Sequence, residues 1–399
     1  MDDHDPRGFV ARLARATLSP DAGCDPIRLD EVGRPFFEYL AGHQLDGVAV
    51  AAADSGILVL SDRQRALLDR SLRDAMVWAL AIERRLLSIA QRFDDQKIEF
   101  IVLKGPAVAH SAYADPAQRP FRDLDLLVRA RDWDRARAAL EQLGFERERP
   151  EPRRGFDLRF GKAAVHTDPT GIPVDLHHRI VLGPFGLWID SDALFDTTAS
   201  LHIAGYPLRR LDDTGLVLHA CVHAALGWRP PLPLTLWDVA QTAWLPEVRW
   251  AQLEDLAGRW RLEGVLQFAF GSVRGPGFGA ALPPETRAFD GATPPRRERK
   301  ALSSYVTSRR TRGGMSLATM SAIPRIRDRV RYAVTLLIPS RAFMEWRRST
   351  GDGGSYVRRW ALPLSWPRRR DANSRRSEVT GASDPQTGRF GPPISRQHG

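Results

Sequence analysis

Apolar positions at helical spacing run from Leu67 through Leu68, Leu72, Met76, Trp78, Leu80 and Leu86 to Leu87, and predict one long helix ending near Phe93. Ser61-Asp62-Arg63-Gln64 ahead of it has the form of a capping box. The period then changes. Residues 98–103 read as a strand, with the apolar run Phe100-Ile101-Val102-Leu103 stopping at Lys104-Gly105. Pro106 suits the first turn of a short helix to about Tyr113. Asp123 to Val128 alternates, with Asp123 and Asp125 on one side of a strand and Leu124 and Leu126 on the other. A helix is predicted over 131–143, with Gly144 as its cap. Residues 156–166 and 172–178 read as two further strands around a turn at 167–171.

The flanking regions are helical in pattern. Residues 1–60 hold short amphipathic pieces broken by Pro20, Pro26 and Pro35. After Asp190 the pattern predicts a short hairpin arm over 201–208. Helices follow over 216–226 behind Asp212-Asp213, near 234–244, and over 250–262. Trp228, Trp237, Trp244, Trp250 and Trp260 fall here and read as core. Residues 270–300 are rich in Gly and Pro and read as loop. Pro324 opens a helix in which Ile326, Val330, Ala333, Val334 and Leu337 share a face. That face is expected to dock on the body of the protein, and beyond about residue 367 disorder is expected. The predicted divisions are an N-terminal helical segment (1–95), a sheet-bearing core (96–200), a helical domain (201–290) and a basic extension (291–399).

Composition changes this picture in three places. Hydrophobic residues make up 43% of the 399-residue chain, enough for a sizeable core. Cys24 and Cys221 offer no disulfide framework, no basic-then-apolar leader is visible, and no apolar run reaches membrane-spanning length; all three suit the cytoplasm. The net charge of +10 is unevenly spread: residues 291–399 carry 23 Arg or Lys against 7 Asp or Glu, while 1–290 are mildly acidic. Such a basic extension is open to nucleic acid, a membrane surface or an acidic partner, and equally to a solvated role. Lysine is scarce, with only Lys97, Lys104, Lys162 and Lys300 in an arginine-rich chain. Lys104 directly before Gly105 is therefore a candidate for reaching a phosphate.

The chemistry centres on carboxylates. Residues i and i+2 of a strand lie about 6.6 Å apart and point the same way, so Asp123 and Asp125 can converge on one or two divalent ions. Magnesium takes oxygen ligands and is usually held by one or two carboxylates together with substrate phosphates. Asp175, in the strand-like Ile172-Pro173-Val174-Asp175-Leu176-His177, is a third candidate. His177 and His178 follow it and read mainly as structural. His219 and His223 share a helix face at zinc-helix spacing, but the glutamate of His-Glu-x-x-His is missing. Packing or a substrate contact is the expected use.

This order of strand, Lys-Gly turn, helix, Asp-x-Asp strand and later Asp-bearing strand resembles the polymerase-β-type nucleotidyltransferase superfamily. Four segments resemble more closely the bacterial family of uncharacterised nucleotidyltransferases. They are Leu103-Lys104-Gly105-Pro106, Tyr113 with Asp115-Pro116, Arg119 with Asp123-Leu124-Asp125-Leu126-Leu127-Val128, and Val174-Asp175-Leu176-His177. His219, His223 and Trp237-Asp238 are similar to its helical half, more loosely. The likeness covers about residues 60–265. It implies an α/β (α+β) fold, with a small mixed sheet, flanking helices and a C-terminal helical domain. It implies a magnesium-dependent enzyme, with one or two ions, that moves a nucleoside monophosphate from a triphosphate such as ATP to an acceptor hydroxyl. A non-catalytic nucleotide- or partner-binding relative is the alternative. Asp123, Asp125 and Asp175 would be catalytic and hold metal; Lys104, Gly105, Arg119 and Arg122 would contact the nucleotide. The superfamily's usual Gly-Ser pair after the first strand is replaced here by Lys104-Gly105-Pro106.

Overall fold

The computed structural model describes residues 6–19, 25–29, 34–227, 230–306 and 312–350. Among them, nine strands form two sheets: β1 (Ile27–Arg28), β2 (Leu58–Val59), β3 (Phe100–Val102), β4 (Leu124–Val128), β5 (Glu146–Arg147), β6 (Ala163–Thr167), β7 (Pro173–His177), β8 (Thr198–Ile203) and β9 (Tyr206–Leu211). Strands β1 and β2 form a small parallel pair. The other seven make a mixed sheet in the order β5-β6-β7-β4-β3-β9-β8. At its centre β4 runs antiparallel to β3 and parallel to β7. The α/β reading with its helical C-terminal half therefore holds.

The alternation of β4 sorts its side chains onto two faces. Leu124, Leu126 and Val128 face the long helix Asp62–Asp95, packing with Ala79, Ile82, Leu86 and Phe93 and with Trp133 of the helix Trp133–Gln142. Each fully buried leucine or isoleucine of this seam contributes about 1.5–3 kcal/mol of transfer free energy. Ser61 caps the long helix through Gln64, with both bonds of the capping box formed. Leu127 faces the opposite way. It joins a second core containing the helices Pro6–Leu18, Arg34–Gly42 and Asp46–Asp54 and the helical half from Asp213 onward. Asp125 shares Leu127's side of the sheet, so the carboxylates look toward the helical half.

The structure departs from the sequence pattern in several places. Residues 156–160 form a helix, Phe156–Phe160, not a strand. The alternation Phe-Asp-Leu-Arg-Phe also has i,i+4 spacing, and Gly155 in the left-handed region starts the turn. Strand β6 begins only at Ala163. The stretch read as loop over 270–300 holds the end of the helix Glu263–Arg274, a 3-10 turn at Pro284–Phe289 and the start of the helix Arg296–Val306. Trp237 and Trp260 are buried as expected, but Trp244 is exposed. Trp228 and the residues beyond 367 lie outside the described residues.

Glycine is required where the N-terminal segment braces the site. A Cβ on Gly47 would lie 2.1 Å from the Ala117 carbonyl oxygen, so the helix Asp46–Asp54 reaches the turn before Arg119 only because residue 47 is glycine. Gln44 Nε2 donates to the Pro120 carbonyl at 3.2 Å in the same loop.

Candidate functional site

Parallel pairing of β4 with β7 places Asp125 directly beside Asp175 and Leu127 beside His177. Paired residues of neighbouring strands point to the same face. Asp125, Asp175 and His177 accordingly each offer a ligand atom, all within 4.8 Å of one another. Asp175 Oδ1 is buried with no hydrogen-bond partner among the described residues. A buried carboxylate oxygen left bare is costly, and a cation satisfies it. The two carboxylates are donors that magnesium or manganese accepts, and the imidazole beside them suits zinc, so the residues fit a divalent ion.

Lys104 closes the group from the end of β3. Its Nζ lies 3.0 Å from Asp125 Oδ2 and 3.6 Å from Asp123 Oδ2. Gly105 makes this possible by turning the chain at φ +61° and ψ −113°, a conformation essentially closed to residues with a Cβ. The turn leads into the helix Pro106–Ala112. His177 Nε2 is 2.9 Å from Asp125 Oδ1, and its Nδ1 is 3.1 Å from the Arg179 carbonyl oxygen, so both ring nitrogens face oxygen atoms.

The family described as an uncharacterised nucleotidyltransferase matches residues 35–274, well over half of the chain. The chain belongs to that family. It is also similar to the crystal structure of an antigenic nucleotidyltransferase-like protein from Paracoccidioides brasiliensis. That likeness has 17% identity, covers 52% of this chain and 93% of that one, and has a TM-score of 0.30. No curated protein matches.

Electrostatics in this nucleotidyltransferase-family site split the two paired carboxylates. Burial alone would raise both. For Asp125 the Lys104 charge and the His177 bond more than reverse it, holding the carboxyl well below its ordinary value. For Asp175, burial and then the neighbouring Asp125 charge push the proton affinity up. Burial likewise works against the Lys104 ammonium, but Asp123, Asp125 and Asp175 together keep it firmly protonated. One carboxylate is thus fixed as an anion and its neighbour is the easier of the two to protonate.

Not every residue singled out in the sequence converges here. Asp123 sits at the rim, outside the group formed by Asp125, Asp175 and His177. Arg119 is buried and committed elsewhere. Its Nε and Nη2 donate to Asp238 Oδ1 and Oδ2 at 3.0 and 2.6 Å, and Tyr113 OH donates to the same Oδ1 at 2.9 Å. Arg122 donates through Nη2 to the Ala41 carbonyl at 2.5 Å. His178, beside His177, donates to the Asp157 carbonyl at 2.9 Å and meets Trp133 edge to face.

Lys162 acquires significance only in the fold, and His219 and His223, already singled out in the sequence, take their place there. Lys162, just before β6, lies close enough to lower the proton affinity of both Asp125 and Asp175. Its carbonyl accepts the backbone N–H groups of His178 and Arg179, which fixes it beside the end of β7. Its rarity as a lysine was the available sequence signal. His219 and His223 of the helix Asp213–Leu226 stand with near-parallel rings, 6.4 Å between centroids, over the same face. Burial holds His219 neutral, its pKa down to about 3, while it feels the charges of Asp125, Lys104 and His177. Burial lowers His223 as well. Neither ring makes a hydrogen bond among the described residues.

Proposed function

We propose that the chain is a magnesium-dependent nucleotidyltransferase that transfers a nucleoside monophosphate from a triphosphate such as ATP to an acceptor hydroxyl, releasing pyrophosphate. The observation that carries this reading is the in-register pair Asp125–Asp175, with its bare Asp175 Oδ1, between Lys104 and Lys162. Asp125 and Asp175 would hold the ion, with His177 orienting Asp125 through its Nε2, and Asp123 at the rim would serve a second one or its water shell. A divalent ion there supplies charge neutralisation for the triphosphate and the leaving pyrophosphate. Lys104 and Lys162 add positive charge at the phosphate oxygens, where positioning and neutralisation carry most of the rate. Asp175, the more basic carboxylate, would take the proton of the attacking hydroxyl. His219 and His223 present neutral nitrogens for nucleotide or acceptor. Arg119 acts at one remove, by tying the loop before Asp123 to Asp238. The cytoplasm, with its triphosphates and magnesium, is the compartment this reading calls for.

The second reading, a nucleotide- or partner-binding relative without turnover, rests on the Lys104 contacts: the ammonium already neutralises Asp125 and Asp123 without an ion. Calorimetric titration with magnesium and each triphosphate, followed by pyrophosphate measurement across an acceptor panel, separates the two. Magnesium-dependent binding with pyrophosphate release is expected. Binding without release across the panel would select the nucleotide-binding form of the second reading, and no binding would select its partner-binding form.

A further inference from the structure

The helix Ile326–Leu337 is amphipathic, but the face it docks is not its aliphatic one. Tyr332 is buried, stacked on Phe156 with centroids 5.9 Å apart and edge-on to Phe160 at 5.1 Å. Arg153 Nε donates to the Ile338 carbonyl at 2.6 Å, and Ser340 N to the Pro152 carbonyl at 2.6 Å, pinning the helix end to the sheet domain. The aliphatic stripe expected to pack inward is left outside. Ile326 is 72% exposed, Val330 56%, Val334 38% and Leu337 71%, with Ile338 at 63% beside them. At 100° per residue the first four fall within one quarter of the helix circumference. Arg325 and Arg329 border the stripe on one side, Arg327 and Arg331 on the other.

We propose that this stripe and its arginine borders form a docking surface for an anionic lipid bilayer, with the helix lying in the plane of the membrane. An apolar sector bounded by cations is what an interfacial helix presents: the aliphatic chains enter the acyl boundary and the guanidinium groups meet lipid phosphates. Charge selects among the possible occupants. The chain beyond residue 350 holds nine arginines against four carboxylates, so as a cover it would set cation beside cation. A second copy pairing stripe to stripe would bring the two sets of arginines together. The mildly acidic body would suit the arginines, yet the helix meets it through Tyr332 and turns the stripe away. Nucleic acid would match the arginines but has no use for four adjacent aliphatic side chains. An anionic membrane surface matches both features, and the cytoplasmic leaflet carries that charge. The surface lies outside the carboxylate site and does not depend on the reaction assigned to it.

Flotation of the full chain with phosphatidylcholine vesicles, with and without about one-third phosphatidylglycerol, tests this. The chain is expected to float with the anionic vesicles and remain behind with the neutral ones. Ile326→Asp and, separately, Leu337→Asp replace exposed side chains and leave thermal melting unchanged; each is expected to reduce vesicle binding at least tenfold. Arg325→Gln and Arg327→Gln should each weaken it roughly fivefold at low salt, less at high salt. Equal flotation with neutral vesicles, no flotation, or full retention in both Asp variants overturns the proposal. So does a dimer in sedimentation that Ile326→Asp dissolves, which would place a second copy on the stripe. Binding of labelled RNA or DNA without vesicle binding would assign the arginines to nucleic acid instead.

Discussion

Arg119 and Asp238, far apart in the chain, meet through two parallel bonds at 3.0 and 2.6 Å inside the protein. The pair joins the loop that delivers Asp123 to the helix Pro233–Ala243, and Tyr113 at the end of the Lys-Gly turn helix bonds to the same carboxylate. Removing one partner strands the other as a buried charge, at a cost of about 3–5 kcal/mol. Asp238→Leu is therefore expected to lower the urea midpoint steeply. Adding Arg119→Met and Tyr113→Phe to it should recover much of the loss. A triple variant no more stable than Asp238→Leu would show that the cluster acts otherwise.

Asp175→Asn should stabilise the metal-free protein. Burial and the Asp125 charge both raise the proton affinity of Asp175, so its ionised form opposes folding. The sign follows: a raised folded pKa gives stability that is present at low pH and lost as pH rises through it. The neutral amide removes that loss at neutral pH. It should also abolish the gain in melting temperature expected when magnesium is added to the native chain, because a bound ligand stabilises by mass action. Asp125→Asn differs, since it takes from Lys104 its nearest counter-charge and should destabilise. Equal melting temperatures for the two variants would contradict this account.

Gly105→Ala should damage the site more than its size suggests. Alanine at φ +61° and ψ −113° carries strain of about 1–3 kcal/mol. Its Cβ would also touch the Asp123 carbonyl oxygen at 3.4 Å. Relief of that strain turns the Lys104 ammonium away from Asp125. Magnesium affinity and melting temperature are expected to fall together in a thermal-shift titration; unchanged values for both would show that the turn tolerates a side chain.

Glu298 sets a pH dependence remote from the carboxylate site. Its Oε1 accepts the Gly264 N–H at 2.6 Å, at the start of the helix Glu263–Arg274, while Oε2 is buried without a partner among the described residues. Burial pushes its pKa up to about 7, against the Gly264 bond and with help from Glu263. Its stabilising contribution is complete below the ordinary glutamate value of about 4.3 and is lost as pH rises through about 7. Glu298→Gln should match the native protein near pH 4 and exceed it at pH 8. Parallel melting curves across that range would refute the shift.

The site was legible in the sequence where one strand or one turn carries it. Period-two alternation marked Asp125, and the Lys-Gly break marked the residue that now neutralises it. A second strand-like segment offered Asp175, and only the β4–β7 register puts it beside Asp125. What depends on more distant neighbours was hidden. Arg119 looks like any loop arginine until Asp238 arrives from the helical half. Lys162 precedes an unremarkable strand, and its approach to the carboxylates comes from β6 folding back on β7. Helical periodicity correctly grouped Ile326, Val330, Val334 and Leu337 on one side. It could not say which side the protein would cover, because Tyr332 at another azimuth found the aromatic pair Phe156 and Phe160.

The pairing of Asp125 with Asp175 across two hydrogen-bonded strands also limits what the protein can tune. The separation of their backbones is the lateral repeat of a pleated sheet, about 4.8 Å, which no distant substitution stretches without unzipping the ladder. On the proposed reading, discrimination between a small ion and a large one would therefore fall to the donor least held, the Asp123 side chain at the rim. Relatives that trade one metal for another should differ at that position while keeping the rigid pair intact.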